Sequence, residues 1–236
     1  MNRKIFNRIN EMIMNSPQLL VDGKSFREAI NGEFCVDVGN EVPNNIVDLV
    51  NRIDEAVLRK YFGEVWQPET KKYKYSGLSI IDQVNALNPD AVLDVGCGYN
   101  EFKGKIQNLT GIDPFNKKAD IIAHTLDYKT TTKYDVVICL GSINFGSTDK
   151  IIKEIQKVVS LTKTGGLIIF RANPGITHKD NNAKWIDFFE WDQSFIFNIA
   201  QTLNCEVQQF RTDTSQDKNS KLKNGKRFYF VFKKNA

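Results

Sequence analysis

The sequence is short of the residues that build metal and disulfide frameworks. Its 236 residues include four cysteines and two histidines. Cys35, Cys97, Cys139 and Cys205 form no C-x-x-C pair, which argues against a structural zinc site. Cys97, Cys139 and Cys205 fall in or beside expected strands, where a thiol is an ordinary small core residue, so the compartment reads as reducing. Long apolar runs are missing as well. Met1-Asn-Arg-Lys-Ile-Phe has no apolar core of signal-peptide length, and no run approaches a membrane span. The expected location is cytoplasmic, with no membrane partner. The Gly-Lys-Ser/Thr of a P-loop is absent, which disfavours a nucleoside triphosphatase, and there are no internal repeats.

Apolar residues make up 41% of the chain and charged residues 25%, enough for a full core and too balanced for a disordered chain. The length suits one domain with a sizeable extension, or two small domains. A net charge of +4 is mildly basic and lends only little weight to a polyanionic partner.

Residues 1–75 read as a mostly helical extension and residues 76–236 as an α/β domain. Ile5, Phe6, Ile9, Met12 and Ile13 recur at helical steps ahead of Pro17. A second short helix is expected over Lys24–Ile30, stopping near Gly32. A longer stripe runs Ile46, Leu49, Val50, Ile53, Val57, Leu58, Tyr61 and Phe62, ended by Gly63. Gln67 to Tyr75 is polar, basic and aromatic, a linker in which Lys71, Lys72 and Lys74 alternate with Tyr73 and Tyr75. Such a mix suits a solvated hinge, or contact with RNA through phosphates and stacked bases.

From Ser76 the periods alternate. A helix capped by Ser76 precedes a strand over Ala91–Val95, and a helix is expected from near Asn100 to before Asn108. Strands follow at Leu109–Asp113, near Ile121–Ala123, and at Tyr134–Leu140, whose apolar run fits a central parallel strand. A helix over Lys150–Leu161, a strand over Leu167–Arg171, a helix over Gln193–Leu203 and strands over Cys205–Thr212 and Arg227–Lys233 complete the pattern. Strands alternating with helices predict a doubly wound, mostly parallel sheet. The last pair has no helix between its strands, so the final strand should run antiparallel to its predecessor.

The stretch Ala91-Val-Leu-Asp-Val-Gly-Cys-Gly-Tyr-Asn100 organises this domain. It is a buried strand that stops abruptly at Gly96 and Gly98, where a ligand can approach the backbone closely. Asp94 is unusual there. A turn that cradles pyrophosphate avoids a carboxylate, whereas one that meets a cation or an ammonium can use it. A dinucleotide fingerprint also wants a third small residue where Glu101 stands.

Val92-Leu-Asp-Val-Gly-Cys-Gly98 resembles the first motif of the class I S-adenosylmethionine (SAM)-dependent methyltransferases. The resemblance covers roughly Ser76 to Lys233 and implies a seven-stranded Rossmann-like sheet ending in a hairpin, with SAM as cofactor. It assigns Gly96 and Gly98 to the methionine and ribose portions and Asp94 to the methionine ammonium. Asp113, at the end of the second strand, is placed to accept from ribose hydroxyls. Pro114 and the Phe115 ring follow at the adenine. Asp127, in the loop with Tyr128 after the third strand, is placed to accept from the adenine amine. Leu140, Gly141 and Ser142 would offer backbone carbonyls to the ammonium.

The methyl acceptor is not legible. The Asn/Asp-Pro-Pro-Tyr/Phe motif and the Pro-Cys nucleophile of DNA base methylation are both absent. His178 is the candidate base and otherwise a surface histidine, while His124 reads as structural. Trp185, Phe188, Phe189 and Trp191 could wall an acceptor pocket or simply pack on the sheet. The basic loop Asp213 to Lys226 is a mobile hairpin loop or a clamp on RNA. An active methyltransferase acting on a small molecule, RNA or protein stands against a non-catalytic SAM-binding module of the same fold.

Overall fold

The computed structural model describes residues 1–41, 43, 45–65, 76–172, 183–214 and 226–236. The chain divides into two compact units, Met1–Gln67 with His178–Asp187, and Pro68–Thr177 with Phe188–Ala236.

In the first unit, helix α1 (Arg3–Asn15) begins where the Asn2 side chain accepts from the Lys4 and Ile5 amides at 3.0 and 3.3 Å. The Asn2 amide nitrogen donates in turn to Asp54 Oδ1 at 2.7 Å and to the Trp185 carbonyl at 2.8 Å. Ile5 and Ile9 are fully buried, as the helical spacing predicts. Helix α2 (Gly23–Phe34), capped by Asp22, buries Phe26, Ile30 and Phe34. It runs through Gly32, where a stop was expected, and ends at Cys35 in the left-handed conformation. Helix α3 (Ile46–Lys60) buries Leu49, Val50, Ile53, Val57 and Leu58, and a wide turn over Tyr61–Val65 carries the chain past Gly63. Trp185 docks edge-on against Phe34 at 4.8 Å, and Lys4 Nζ donates to the Ile186 carbonyl at 2.9 Å.

Asn2 is 2% exposed and serves both as a cap and as a buried donor. Losing a cap costs about 0.5–2 kcal/mol, and losing the hydrogen bonds to half-buried Asp54 and Trp185 adds about 0.5–1.5 kcal/mol. Asn2→Ala should therefore lower stability by about 1–3.5 kcal/mol, read as a fall in urea midpoint at unchanged slope. An unmoved midpoint would show that the amide holds nothing in place.

The second unit is a seven-stranded sheet in the order β3-β2-β1-β4-β5-β7-β6. The strands are β1 (Val92–Val95), β2 (Leu109–Asp113), β3 (Ile121–Ile122), β4 (Tyr134–Leu140), β5 (Thr162–Ala172), β6 (Cys205–Thr214) and β7 (Lys226–Lys234). All neighbouring pairs from β3 to β5 are parallel, and β7 is antiparallel to both β5 and β6, as the missing crossover helix predicted. β5 starts at Thr162, five residues earlier than expected, directly at the end of the preceding helix.

Helices α5 (Thr148–Leu161) and α6 (Gln193–Thr202) cover one face over Leu93, Val137, Cys139, Ile168, Phe170, Phe230 and Phe232. The opposite face carries Val92, Ile138, Ile169 and Tyr229, packed with Ile80 and Val84 of a 3₁₀ turn (Ser76–Ile80) and short helix α4 (Ile81–Asn85). The helix expected from Asn100 is not there. Residues 99–107 form consecutive turns instead. Phe102 and Ile106, at helical spacing, do face the core, but Asn100, Gly104 and Asn108 all take positive φ (58°, 76° and 54°). Three left-handed residues in nine positions cannot lie in a right-handed helix. No helix connects β2 to β3 or β3 to β4 either, which leaves Ile121 and Ile122 40% and 57% exposed.

Candidate functional site

The C-terminal ends of β1, β2 and β4 converge on the glycine turn. Gly96 and Cys97 donate their amides to the Ile112 carbonyl at 2.8 and 3.0 Å, so the turn stays tied to β2 as it leaves the sheet. Gly96 has φ +68°, and a Cβ built there would lie 2.3 Å from Ser142 Cβ, so the loops after β1 and β4 touch at the one place without a side chain. Gly98 has φ +54° with open space around it.

Asp113 holds this corner together. Its Oδ2 accepts from the Gly98 amide at 3.0 Å, and its Oδ1 accepts from the Phe115 and Asn116 amides at 2.8 Å each. Three donors leave lone-pair capacity for a further hydrogen bond, since a carboxylate has about four acceptor sites. Asp94 is different. It is 4% exposed and no described group donates to its carboxylate. Burial, and after it the negative charge of Asp113, pushes its pKa up to about 7. The Ser142 hydroxyl is likewise buried with no partner among the described residues.

Asn100 was overlooked in the sequence. It stands two residues beyond Gly98 with φ 58°, and its side-chain nitrogen donates to the Lys118 carbonyl at 3.1 Å, joining the turn to the β2–β3 connection. Gly111 makes room for it, because a Cβ there would lie 2.6 Å from Asn100 Oδ1. The available signal was an asparagine after two glycines, the non-glycine residue that best tolerates left-handed backbone. Tyr99 was also missed; its hydroxyl is buried without a described partner, and Lys118 Nζ lies 5.0 Å over its ring.

The other expected residues separate. Phe115, after Pro114, meets the His124 ring edge-on at 5.4 Å, with Asp127 exposed in the adjoining turn, its amide donating to the His124 carbonyl. Tyr128 points away from them into the core, 5% exposed, its hydroxyl 2.7 Å from that of Tyr134. Leu140 and Gly141 are half-buried at the end of β4. The four aromatics are divided between the two units. Trp185 belongs to the helical unit, Phe188 packs on Phe145 at 5.3 Å, and Phe189 and Trp191 pack with Phe195 in the core beneath α6. His178, the Lys/Tyr segment 67–75 and residues 215–225 of the basic hairpin loop lie outside the described residues. Among the described residues no helix is long and apolar enough to cross a membrane.

Strand order, the single antiparallel strand and a glycine turn ending β1 give a Rossmann-like fold, the fold also seen in solved SAM-dependent methyltransferases. The chain is similar in structure to the magnesium protoporphyrin IX methyltransferase of Synechocystis with bound SAM, at TM-score 0.57 and 14% identity, over 77% of this chain and 97% of that one. It is similar to the 1,6-didemethyltoxoflavin-N1-methyltransferase of Burkholderia thailandensis, solved with 1,6-didemethyltoxoflavin and S-adenosylhomocysteine (SAH), at TM-score 0.56 and 13% identity, over 77% and 89% of the chains. It is also similar to the N-methyltransferase NodS of Bradyrhizobium japonicum in complex with SAH, at TM-score 0.55 and 12% identity, over 78% and 98%. By sequence, no family model and no curated protein matches.

Proposed function

We propose that the chain binds SAM across the ends of β1, β2 and β4 and transfers its methyl group to an acceptor. The observation that carries this reading is Asp94: a buried carboxylate with no described donor, beneath a turn whose first glycine admits no side chain. A buried anion without a partner is costly, so the site is built for a cationic ligand group. The methionine ammonium of SAM is such a group, and the Ser142 hydroxyl supplies a second polar contact for it. Asp113 keeps acceptor capacity for ribose hydroxyls while it fixes the turn. Phe115 and His124 offer an aromatic corner for adenine, with Asp127 beside it as acceptor for the amine.

Bound there, SAM supplies an activated methyl group on a sulfonium. The protein's share is to fix the donor, hold an acceptor in line and keep water out. For an acceptor that must shed a proton, His178 is the base in this reading.

Calorimetric titration with SAH should give saturable heat, and methyl-labelled SAM should pass label to an acceptor in a cell extract. Heat with no label transferred under any condition would leave a donor-binding module in place of an enzyme. The absence of any SAH heat would remove both readings.

A further inference from the structure

Helix α5 carries a row of lysines for which the donor site has no use. Lys150, Lys153 and Lys157 are three and four residues apart, so they share one edge of the helix. Lys133 extends the row, because its Nζ donates to the Ser160 carbonyl on the last turn at 2.7 Å. Lys153 is exposed, while Lys150 and Lys157 are half-buried. Among the described residues, none of these three ammonium groups makes a hydrogen bond or an ion pair. Two acids stand near them at helical spacing. Asp149 is exposed one turn before Lys153 and forms no ion pair with it. Glu154 is half-buried with its carboxyl raised to about 7 by burial, so it offsets only part of the charge at neutral pH.

The row works against the helix that carries it. Lys153 and Lys157 are like charges at i,i+4, and Lys150 is a cation in the first turn, where the helix dipole disfavours one. Lys150 is nevertheless held close. A Cβ on Gly146 would lie 3.0 Å from Lys150 Cδ and 3.8 Å from its Nζ, so the side chain lies back along the loop that follows β4. The head of the row thus adjoins the loop that contains Ser142.

From Lys150 to Ser160 the helix rises about 15 Å, at about 1.5 Å per residue. One strand of a nucleic acid places a phosphate about every 3.4 Å along its axis, so the row matches about four phosphates. A lipid surface fits poorly, since none of the exposed large apolar side chains belongs to α5. RNA is favoured over DNA because the motifs of DNA base methylation are absent from the sequence. We infer that this edge of α5 docks the phosphate backbone of single-stranded RNA, with Lys150, Lys153, Lys157 and Lys133 as its contacts. The inference goes beyond donor binding and stands without it.

The probe is a fluorescein-labelled oligouridylate, titrated with the full chain and read by anisotropy. Four phosphate contacts on a single strand give a slope of about −2.8 against log salt, so affinity should fall about 50-fold between 50 and 200 mM chloride. Lys150→Gln/Lys153→Gln/Lys157→Gln should weaken binding at 50 mM by at least about tenfold and bring the slope to about −0.7. Should the triple variant fail to fold, Lys153→Gln alone, at the exposed position, should bring the slope to about −2.1. No RNA binding by the wild type at 50 mM chloride, or coincident wild-type and variant curves, overturns the inference. So does tighter binding of oligothymidylate, polyglutamate or phosphatidylserine vesicles than of the RNA. SAH heat, read separately on the wild type, tests the donor reading alone.

Discussion

At pH 8 the ligand-free Asp94→Asn variant should be more stable than the wild type, and it should bind SAH at least about 100-fold more weakly. Both effects come from one carboxylate whose pKa rises in the fold from 3.8 to about 7 through burial and then through Asp113. The sign follows from proton linkage. A group that binds its proton more tightly when folded contributes stability below pH 3.8, and that contribution is lost as pH rises to about 7. At 1.36 kcal/mol per pKa unit, the loss is on the order of 4 kcal/mol. Asparagine stays neutral and escapes it. Glu154, half-buried and also raised to about 7 by desolvation, gives a slope of the same sign, but it is present in both proteins and drops out of the difference. Urea unfolding of both proteins at pH 5 and pH 8 measures the effect. For SAH, affinity should fall about tenfold per pH unit below 7 in the wild type, because the proton must leave before the ammonium can bind. The variant should show a flat profile. A variant less stable than wild type at pH 8, with undiminished SAH affinity, would falsify the assignment of Asp94 to the ligand.

Gly96→Ala should be the most damaging single methyl in the domain, and Gly98→Ala a mild one. Both positions have positive φ, which costs an ordinary residue about 1–2 kcal/mol. Only at Gly96 does the new Cβ meet a neighbour, Ser142 Cβ at 2.3 Å, while at Gly98 nothing lies within 4 Å. Forcing the β1 and β4 loops apart adds about 1–3 kcal/mol. Gly96→Ala should therefore cost about 2–5 kcal/mol and abolish SAH binding, against about 1–2 kcal/mol for Gly98→Ala. In Gly96→Ala/Ser142→Gly the steric part should return and the backbone strain remain. If denaturation midpoints show the two glycine variants equally damaged, or the double variant no better than Gly96→Ala, the contact between the loops is not what the turn depends on.

Much of the sheet was legible because a buried parallel strand has a plain signature. Leu109–Asp113 and Tyr134–Leu140 have the bounds read from their apolar runs, and the terminal antiparallel hairpin followed from a missing crossover. The segment after β1 was misread for a physical reason. Phe102 and Ile106 have helical spacing, but periodicity reports which residues are buried and not the backbone that buries them. Asn100, Gly104 and Asn108 carried the contrary signal. The positions of Asp94 and Asp113 toward the C-terminal ends of β1 and β2 were readable. Tyr128 was not, since its burial depends on Tyr134, a partner six residues on whose hydroxyl it meets inside the core. The same holds for the aromatics from Trp185 to Trp191: their spacing is shared, yet the chain passes from one unit to the other between Asp187 and Phe188. The pairing of Tyr229 with both Arg171 and Arg211 was invisible for a simpler reason: the three are far apart in sequence and meet only through strand register.

The outer boundaries of the sheet are unlike each other. β3 offers two residues, too few to template another chain. β6 is ten residues long and would be an open invitation to edge-on aggregation, but exposed Glu206, Gln208, Gln209 and Arg211 stand along it. Charged and polar side chains on a boundary strand oppose pairing with a foreign backbone. Arg211 belongs to this guarded edge, where its charge opposes strand-to-strand pairing of two copies of the chain.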